Sequence, residues 1–389
     1  MTTLKRFLGG DIRQYGIIGA LVAIVVLFTI LTDGTLLRPG NVANLFQQNA
    51  YVMILAIGMV MVIVAGHIDL SVGSVVAFVG GVVALSMTDW NLSWPIAVLI
   101  GVALGAVVGA WQGYWVAYVG IPAFIVTLAG MLIFRGLAIV LVGVTRNGLP
   151  THFNAIAGGY LPNTMGYLAN RDAVTLTIGV VVVAALVLSQ VRARLDRTRH
   201  ELKVEPLAAF ITKQVLLAAM IGAFAWILSG STGAPIVLLI VGVLIAVYSF
   251  VMGKTVFGRH IYAIGGNLHA AILSGVDTKK VNFWVFVNIG ALAGIAAVVT
   301  TARAGAANGS AGQNYELDAI AACFIGGAAV TGGVGRVSGA MVGALIMGVL
   351  NMGLSIMTVD AAWQQAIKGL VLLLAVAFDL VNKRRSTSA

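Results

Sequence analysis

Charged side chains are scarce in this sequence, since Asp, Glu, Lys and Arg make up only 9% of its 389 residues. A soluble domain carries about 25% charged residues, so a water-solvated globular fold is excluded. Cysteine is almost absent, and the single one, Cys323, lies inside an apolar run, which excludes a disulfide framework and a cysteine-based metal cluster. What the chain has instead is 60% hydrophobic residues and 48 glycines.

Recognisable catalytic patterns are missing as well. The five histidines are scattered and form neither an HExxH motif nor a Cys/His metal-binding spacing. The tripeptide "GKT" at 253–255 matches the end of a phosphate-binding loop, but that motif needs a glycine five residues before Gly253, where this chain has Tyr248. The sequence therefore predicts no catalytic residues, no metal, no cofactor and no nucleotide site of its own.

Long apolar runs dominate the chain. Runs of about 20 residues recur, and each is long enough to cross a bilayer as a helix. We predict an all-α fold, a polytopic transmembrane helical bundle that forms a single domain over residues 1–389. About twelve spans are predicted, at residues 16–32, 50–65, 71–88, 95–118, 122–144, 173–190, 214–230, 235–252, 281–302, 317–333, 338–357 and 361–381.

The distribution of basic residues predicts the orientation of these spans. Of the 23 Lys and Arg residues, seventeen fall in segments on the side of the termini, and four fall on the opposite side, namely Arg38, Arg146, Arg171 and Arg303. By the positive-inside rule, both termini are cytoplasmic, and the highly charged segment 191–213 is a basic cytoplasmic loop. Because the basic residues lie between apolar runs, the net charge of +10 indicates the lipid bilayer and no nucleic acid as partner.

Two regions contain polar or glycine-rich interruptions. The stretches "VAGHIDLSVGS" (64–74) and "FIGGAAVTGGVGRVSGAMVG" (324–343) each join two apolar runs. Broken or re-entrant helices of this kind indicate a transport path, because irregular backbone at membrane depth needs protein or a water-filled cavity around it. Two short cytoplasmic turns are the alternative interpretation.

A small-residue stripe and a lone carboxylate have structural explanations. The stripe predicts a helix face on which another backbone packs closely; its members are Gly101, Gly105, Gly109 and Gly113. Asp69 is predicted to cap the backbone N–H groups of Ser71 or Val72 where a helix begins, an interpretation that we favour over direct contact with a substrate.

The remaining ionisable residues inside the spans are expected to be structural as well. Arg135 and Lys368 are predicted to pair with a carboxylate across the bundle or to extend to an interface. Glu316 and Asp318 begin the tenth span, where acidic residues suit the helix dipole without any further role.

A short polar stretch at 261–280, "IYAIGGNLHAAILSGVDTKK", predicts a small helix between two spans. Gly265–Gly266 is expected to break the chain, and Asn267 is a good N-cap for a helix over 268–274. Gly275 is expected to end that helix, and Asp277 to cap the next span.

This short helix is expected to contact a partner protein. Seven residues rise only about 10 Å, so the helix lies along the cytoplasmic face. An anchor on the membrane surface would carry Trp, Phe or a basic face, whereas the centre of this helix is His269, Ala270 and Ala271. Its small side chains favour insertion into a groove on another protein.

Four ordered motifs resemble the membrane permease subunits of bacterial monosaccharide ABC importers, the ribose/galactose/xylose group. The motifs are "HIDLSVGS", "IPAFIVTLAGMLIFRGLA", "GRHIYAIGGNLHAAILSGV" and "ELDAIAACFIGGAAVTGGVGRVSGA", and the resemblance runs from about residue 40 to near the end. The extra pair of spans after 191–213 and the count of twelve are most similar to the D-xylose members of the group. Its ribose-type members have about ten spans.

The resemblance implies a role and a set of partners. Two copies of the permease form a pore in the bacterial inner membrane, a cytoplasmic ATPase subunit drives alternating access, and a periplasmic sugar-binding protein docks outside. Segment 253–280 would be the cytoplasmic coupling loop that contacts the ATPase, through Gly265, Gly266, Asn267, His269, Ala270, Ala271, Ser274 and Gly275. ATP hydrolysis would take place in the partner, so the chain itself is expected not to be an enzyme.

Candidates for the translocation path follow from the same motifs and from the broken helices. They are Asp69, Ser71, Trp111, Trp115, Phe124, Thr127, Gly332 and Gly333. For the two tryptophans, an aromatic belt at the membrane interface is the favoured interpretation, and stacking on a sugar ring is the alternative.

Other functions remain open at the level of sequence. A proton-coupled secondary sugar transporter would need a buried carboxylate relay, and Asp69 and Asp379 stand too isolated in the sequence for one. Ribose or galactose are alternatives to xylose as the transported sugar.

Overall fold

A computed structural model describes residues 12–143, 145–202 and 204–387, and most of these residues are helical. The first half contains α1 (Ile12–Leu31), α2 (Pro39–Val64), α3 (Val72–Thr88), α4 (Trp94–Tyr114), α5 (Ala123–Val142), α6 (Thr151–Gly158) and α7 (Ala173–Arg199). The second half contains α8 (Leu207–Leu228), α9 (Ile236–Lys254), α10 (Val256–Gly266), α11 (Leu268–Leu273), α12 (Thr278–Ala304), α13 (Tyr315–Ile325), α14 (Val337–Ile356) and α15 (Ala361–Thr387). The described part also contains a 3-10 turn at Thr35–Leu37, a π turn at Trp115–Val119 and a two-stranded hairpin of β1 (Tyr167–Leu168) and β2 (Arg171–Asp172).

The long apolar helices confirm the prediction of a polytopic bundle. Among the described residues, eight helices are long and apolar enough to cross a membrane, namely α2, α4 with its π turn, α5, α7, α8, α9, α12 and α14. Shorter apolar stretches lie in α1, α3 and α15. Together they correspond to eleven of the twelve predicted spans.

The predicted span at 317–333 is wrong as a continuous helix. The chain is helical there only over Tyr315–Ile325, which is 11 residues and rises about 16 Å, roughly half of a bilayer core. Irregular backbone at 305–314 precedes α13, and a second irregular segment at 326–336 follows it. The chain is therefore irregular on both sides of α13, which is a half-length helix packed inside the bundle.

The segment 191–213, predicted to be a basic cytoplasmic loop, is helical over most of its length. Helix α7 continues to Arg199, α8 begins at Leu207, and a short connection joins them. The two helices extend past their apolar stretches, since their ends carry Arg and Lys residues that water solvates.

Two faces of the bundle can be distinguished. The order of the spans and the positive-inside rule assign α10, α11, the α7–α8 connection and the end of α15 to the inner face. The outer face holds α6 and the strand hairpin, and its connections contact one another: Arg146 on the α5–α6 connection forms an ion pair with Asp89 at 3.5 Å. The backbone N–H of the same arginine also donates to the carbonyl of Ala307 at 2.9 Å.

Helix α2 forms the centre of the core, with every residue from Val52 to Val64 buried. The glycine stripe of α4 packs on α12 as predicted. A Cβ at Gly105 would lie 2.3 Å from the carbonyl oxygen of Gly290, and one at Gly109 would lie 2.2 Å from that of Phe286. Such close backbone approach is how helices associate where lipid removes the hydrophobic driving force.

The half-length helix α13 uses the same type of contact on α14. A Cβ at Gly326 would lie 2.3 Å from the carbonyl oxygen of Gly339, and one at Gly343 would lie 1.9 Å from that of Ala322. The two helices therefore run against each other without intervening side chains.

Candidate functional site

The short helix α11 on the inner face has the boundaries that the sequence predicts. Asn267 caps it, because its side-chain oxygen accepts a hydrogen bond from the backbone N–H of Ala270 at 3.0 Å. Gly275, at φ +81°, ends it, and its N–H donates to the carbonyl of Ile272 at 2.9 Å. Asp277 then caps α12 by accepting from the N–H of Lys280 at 3.0 Å. These local contacts fix a helix that would be too short to persist alone in water.

The exposed face of α11 differs in part from the one predicted. Ala271 is only 3% exposed and belongs to the core of this chain, so it is not accessible to a partner. Ala270 and His269 are exposed, as expected. The sequence analysis missed three apolar side chains that are also exposed, Leu268, Ile272 and Leu273. The sequence signal for Leu268 and Ile272 is their i, i+4 spacing, which places them on one helix face. Leu273 is the last residue of the helix.

Leu273 is 88% exposed, which makes it the most exposed large apolar residue of this helix. An apolar side chain on the basic, water-facing side of a membrane protein indicates a contact surface. We call the surface formed by Leu268, His269, Ala270, Ile272 and Leu273 the coupling face.

The predicted chain break at Gly265–Gly266 is wrong. Both glycines are helical and form the last turn of α10, and the chain turns at Asn267 instead. The reason for glycine at position 265 is space: a Cβ there would lie 1.7 Å from the carbonyl oxygen of Val64 and 2.6 Å from the backbone nitrogen of Gly333.

These glycines belong to a junction of three chain segments. Gly66 follows α2, Gly265 and Gly266 end α10, and Gly332 and Gly333 lie in the segment after α13. We call this set the glycine junction. Gly332 and Gly333 have φ of +80° and +73°, and a Cβ at Gly333 would lie 2.8 Å from the Cα of Gly266.

Two hydrogen bonds hold the glycine junction together. The N–H of Gly333 donates to the carbonyl of Val64 at 2.9 Å. The hydroxyl of Tyr262, on α10, donates to the carbonyl of Gly335 at 2.6 Å. The end of α10 is therefore joined to the end of α2 and to the segment between α13 and α14 through backbone contacts, which have no rotamer freedom.

A buried polar cluster lies where α3 begins. The carboxylate of Asp69 accepts from the N–H of Ser71 at 2.8 Å and from its hydroxyl at 2.7 Å, which confirms the predicted capping contact. Gln112 on α4, missed by the sequence analysis, donates to the Ser71 hydroxyl at 2.7 Å. The Thr127 hydroxyl donates to the carbonyl of Ile68 at 3.4 Å. The signal for Gln112 is that it is the one amide inside an apolar, glycine-striped helix.

The aromatic path candidates lie elsewhere. Trp111, Trp115 and Phe124 are on the surface of the bundle, and Trp111 contacts Trp115 edge-on with ring centres 6.5 Å apart. The eight path candidates therefore fall in three places: the buried polar cluster, this aromatic surface and the glycine junction. The structure does not bring them together in one cavity of this single chain.

An ion pair connects α13 to the last helix. The ammonium of Lys368 lies 3.2 Å from a carboxylate oxygen of Asp318, and both side chains are largely buried. The hydroxyl of Tyr51, on α2, donates to Asp318 at 2.7 Å, and the ring of Tyr51 stacks on that of Tyr315 with centres 3.5 Å apart. The predicted pairing of Lys368 is confirmed, and the expectation that Asp318 acts only on the helix dipole is wrong.

Arg135 interacts electrostatically with Glu316 across the bundle and also holds backbone groups, which the prediction did not include. Its guanidinium donates to the carbonyls of Gly309 at 3.1 Å and Ala311 at 2.5 Å, in the irregular segment before α13. It satisfies backbone acceptors that a full-length helix would have satisfied internally. Arg135 and the ion pair thus both act at the N-terminal end of the half-length helix.

Comparison with known proteins places these features in context. The sequence profile of the family described as branched-chain amino acid transport system / permease component matches residues 41–376. The xylose transport system permease protein XylH of Haemophilus influenzae is 42% identical over 375 residues, 96% of this chain and 98% of that protein. The ribose import permease protein RbsC of Escherichia coli K12 is 33% identical over 369 residues, 94% of each chain. No solved structure matches the chain.

Proposed function

The chain belongs to the branched-chain amino acid transport system / permease component family, and on that basis we propose that it is the membrane permease of an ABC importer for D-xylose. Members of this family are permease components of transport systems and not enzymes themselves. The proposal places the chain in the bacterial cytoplasmic membrane, where it carries a monosaccharide inward by alternating access.

The choice of xylose rests on the relatives. A xylose permease is 42% identical to this chain, and a ribose permease is 33% identical over almost the same length. The alignment with the xylose permease covers almost the whole chain. It therefore includes the helices that line a path as well as those that face lipid. Ribose is the alternative that the uptake experiment below must exclude.

The coupling face carries the proposal that a separate ATPase drives transport. It combines exposed apolar side chains, Leu273 above all, with a small residue at Ala270, on the face that the positive-inside rule places in the cytoplasm. Apolar anchors that fill a groove dominate the energy of protein interfaces. A helix of six residues presents them on a rigid, capped support.

Within the proposal, the glycine junction transmits the motion of the ATPase. When the ATPase subunits close, they displace α11, and the backbone contacts of Gly265, Gly266 and Gly333 carry that displacement to α2 and to the segment beside α13. The half-length helix α13 then moves relative to α14. Two copies of the chain form the pore, and a sugar-binding protein delivers the substrate at the outer face.

Uptake into vesicles tests this function. The chain would be reconstituted with its ATPase, and the vesicles supplied with the sugar-binding protein, internal ATP and radiolabelled xylose, ribose or galactose. We expect xylose accumulation that needs ATP and persists when a protonophore removes the proton gradient. Accumulation that the protonophore abolishes at constant ATP would establish a proton-coupled transporter instead, and faster uptake of ribose would reassign the sugar.

A further inference from the structure

The helical hairpin of α7 and α8 packs on the rest of the bundle near its outer end. The ring of Phe224, on α8, lies 5.0 Å from that of Phe46 on α2. The N–H of Asp172, just before α7, donates to the carbonyl of Ser229 at 3.0 Å. Leu228 belongs to a small buried cluster with Val42 of α2. These contacts hold the outer third of the hairpin.

The inner part of the hairpin has few residues buried against the rest of the bundle. In α7 the buried residues are Thr175 and Gly179, both in its first turns. Large apolar side chains farther along both helices are exposed, among them Leu188, Leu195, Leu207, Ile211, Val215 and Leu216. In the inner part of α8 the buried residues are Phe210 and Gln214, and both contact α7 instead of the core.

A small basic cavity lies between the two helices at the inner face. It has a volume of about 160 Å³. Three of its lining residues are positively charged, Arg194, Arg197 and Lys213, and one is negatively charged, Glu205. Among the described residues, Arg197 and Lys213 form no ion pair.

Arg194 is already held in place at one side of the cavity. Its guanidinium donates to the carbonyl of Glu205 at 2.9 Å and lies 4.9 Å from the ring centre of Phe210. The amide of Gln214 donates to that of Gln190 at 2.8 Å, which closes the cavity toward the membrane interior. A guanidinium has five donor hydrogens, so Arg194 retains donors for an anion.

We propose that this cavity binds the phosphodiester of an anionic phospholipid of the inner leaflet. Basic pockets between transmembrane helices at the cytoplasmic side suit such headgroups. The exposed apolar side chains just below the cavity supply a surface for the acyl chains, which a free phosphate ion would not use. The bound lipid supports the inner part of the hairpin, where packing against the protein is sparse.

Lipid retention by the purified full-length chain tests this proposal. The variant Arg197→Gln/Lys213→Gln removes two charges of the cavity but spares Arg194, which also contributes to the structure of the hairpin. The control Arg192→Gln/Arg199→Gln removes the same charge from α7 at positions that do not line the cavity. Each protein is equilibrated with micelles of phosphatidylcholine and phosphatidylglycerol, and mass spectrometry measures the bound lipids.

We expect the cavity variant to retain roughly tenfold less phosphatidylglycerol than the wild type, and the control variant to retain nearly the wild-type amount. If both variants lost the same amount of phosphatidylglycerol, general surface charge would explain the binding, and the proposal would be overturned. Displacement of phosphatidylglycerol by millimolar inorganic phosphate would also overturn it, because the site would then bind a free anion. Thermal unfolding in phosphatidylcholine alone shows whether each variant is folded.

Discussion

The carbonyl oxygen of Val64 occupies the space in which a side chain at Gly265 would begin: it lies 1.7 Å from the position of a Cβ there. Val64 ends the central helix α2, and Gly265 is one residue from the end of α10. Helix α10, which leads directly into the helix of the coupling face, is thus in backbone contact with the core of the bundle.

Alanine at position 265 tests this contact. Gly265→Ala raises the intrinsic stability of helix α10 by about 1 kcal/mol. Any loss of sugar uptake must therefore come from separation of α10 and α2. We expect sugar uptake to fall at least tenfold while the amount of protein in the membrane stays close to that of the wild type. Gly266→Ala is the matched control, because a Cβ there meets nothing within 4 Å. Equal uptake by the two variants would contradict a role for the contact.

Arginine on the coupling face should separate folding from partner binding. In Ala270→Arg the exposed side chain does not disturb this chain, but at a packed interface its charge would be desolvated at a cost of several kcal/mol. We expect normal membrane insertion, loss of the ATPase on co-purification and no uptake. Ala271→Arg, by contrast, places a charge in the buried core and should lower the amount of folded protein. Retention of the ATPase by Ala270→Arg would exclude this helix as the docking site.

The left-handed backbone at the glycine junction gives a third prediction. Alanine at both Gly332 and Gly333 adds about 1–2 kcal/mol of strain per residue and also separates the junction, so we expect uptake to be lost. Gly34→Ala is the control for strain alone, since its φ is +75° but a Cβ there meets nothing within 4 Å. The control should lower thermal stability slightly and preserve uptake. If the double variant behaves like Gly34→Ala, the junction has no role in transport.

The ion pair of Asp318 and Lys368 predicts coupled effects on stability. Either Asp318→Asn or Lys368→Met leaves one largely buried charge without its partner, which costs about 3–5 kcal/mol. The double variant removes both charges and should recover most of that loss. Thermal unfolding of the four proteins in detergent gives the interaction free energy as a double-mutant cycle. Additive losses would mean that the two side chains do not depend on each other.

Labelling of a single cysteine checks the orientation of the α7–α8 hairpin. In a Cys323→Ala background, Thr198→Cys places an exposed thiol near the end of α7. We expect an impermeant thiol reagent to react with it only after the cells are lysed. Reaction in intact cells would place the basic end of α7 outside and refute the orientation given by the basic residues.

Apolar run length was sufficient to predict most of the helices, because a span that faces lipid must satisfy its backbone internally and must be about 20 residues long. It failed at 317–333, where alanine and glycine keep the sequence apolar although the helix ends at Ile325. Composition cannot show this end, because Gly332 and Gly333, in the segment after it, pack on Val64 and Gly265, which are distant in the sequence.

Local signals predicted the short helix well, since Asn267, Gly275 and Asp277 act on backbone groups within a few residues. Position 265 shows the limit of the same reasoning. Helix propensity alone predicts that a glycine pair ends a helix. Gly265 is helical, however, and the absence of a side chain there permits its contact with Val64, about 200 positions earlier in the chain. The exposure of Leu273 and the burial of Ala271 were not predictable either, because they depend on how α11 lies on the core.

The contact between α13 and α14 has a mechanical consequence. Interlocked side chains resist sliding, since each must change rotamer before one helix can pass another. Gly326, Gly339 and Gly343 place backbone against backbone instead. A small translation of α13 along α14 therefore needs no change of rotamer. The Asp318–Lys368 pair lies toward the opposite end of α13 and connects that end to α15. The half-length helix is therefore held by an ion pair at its charged end and packs without interlocking side chains at its glycine end.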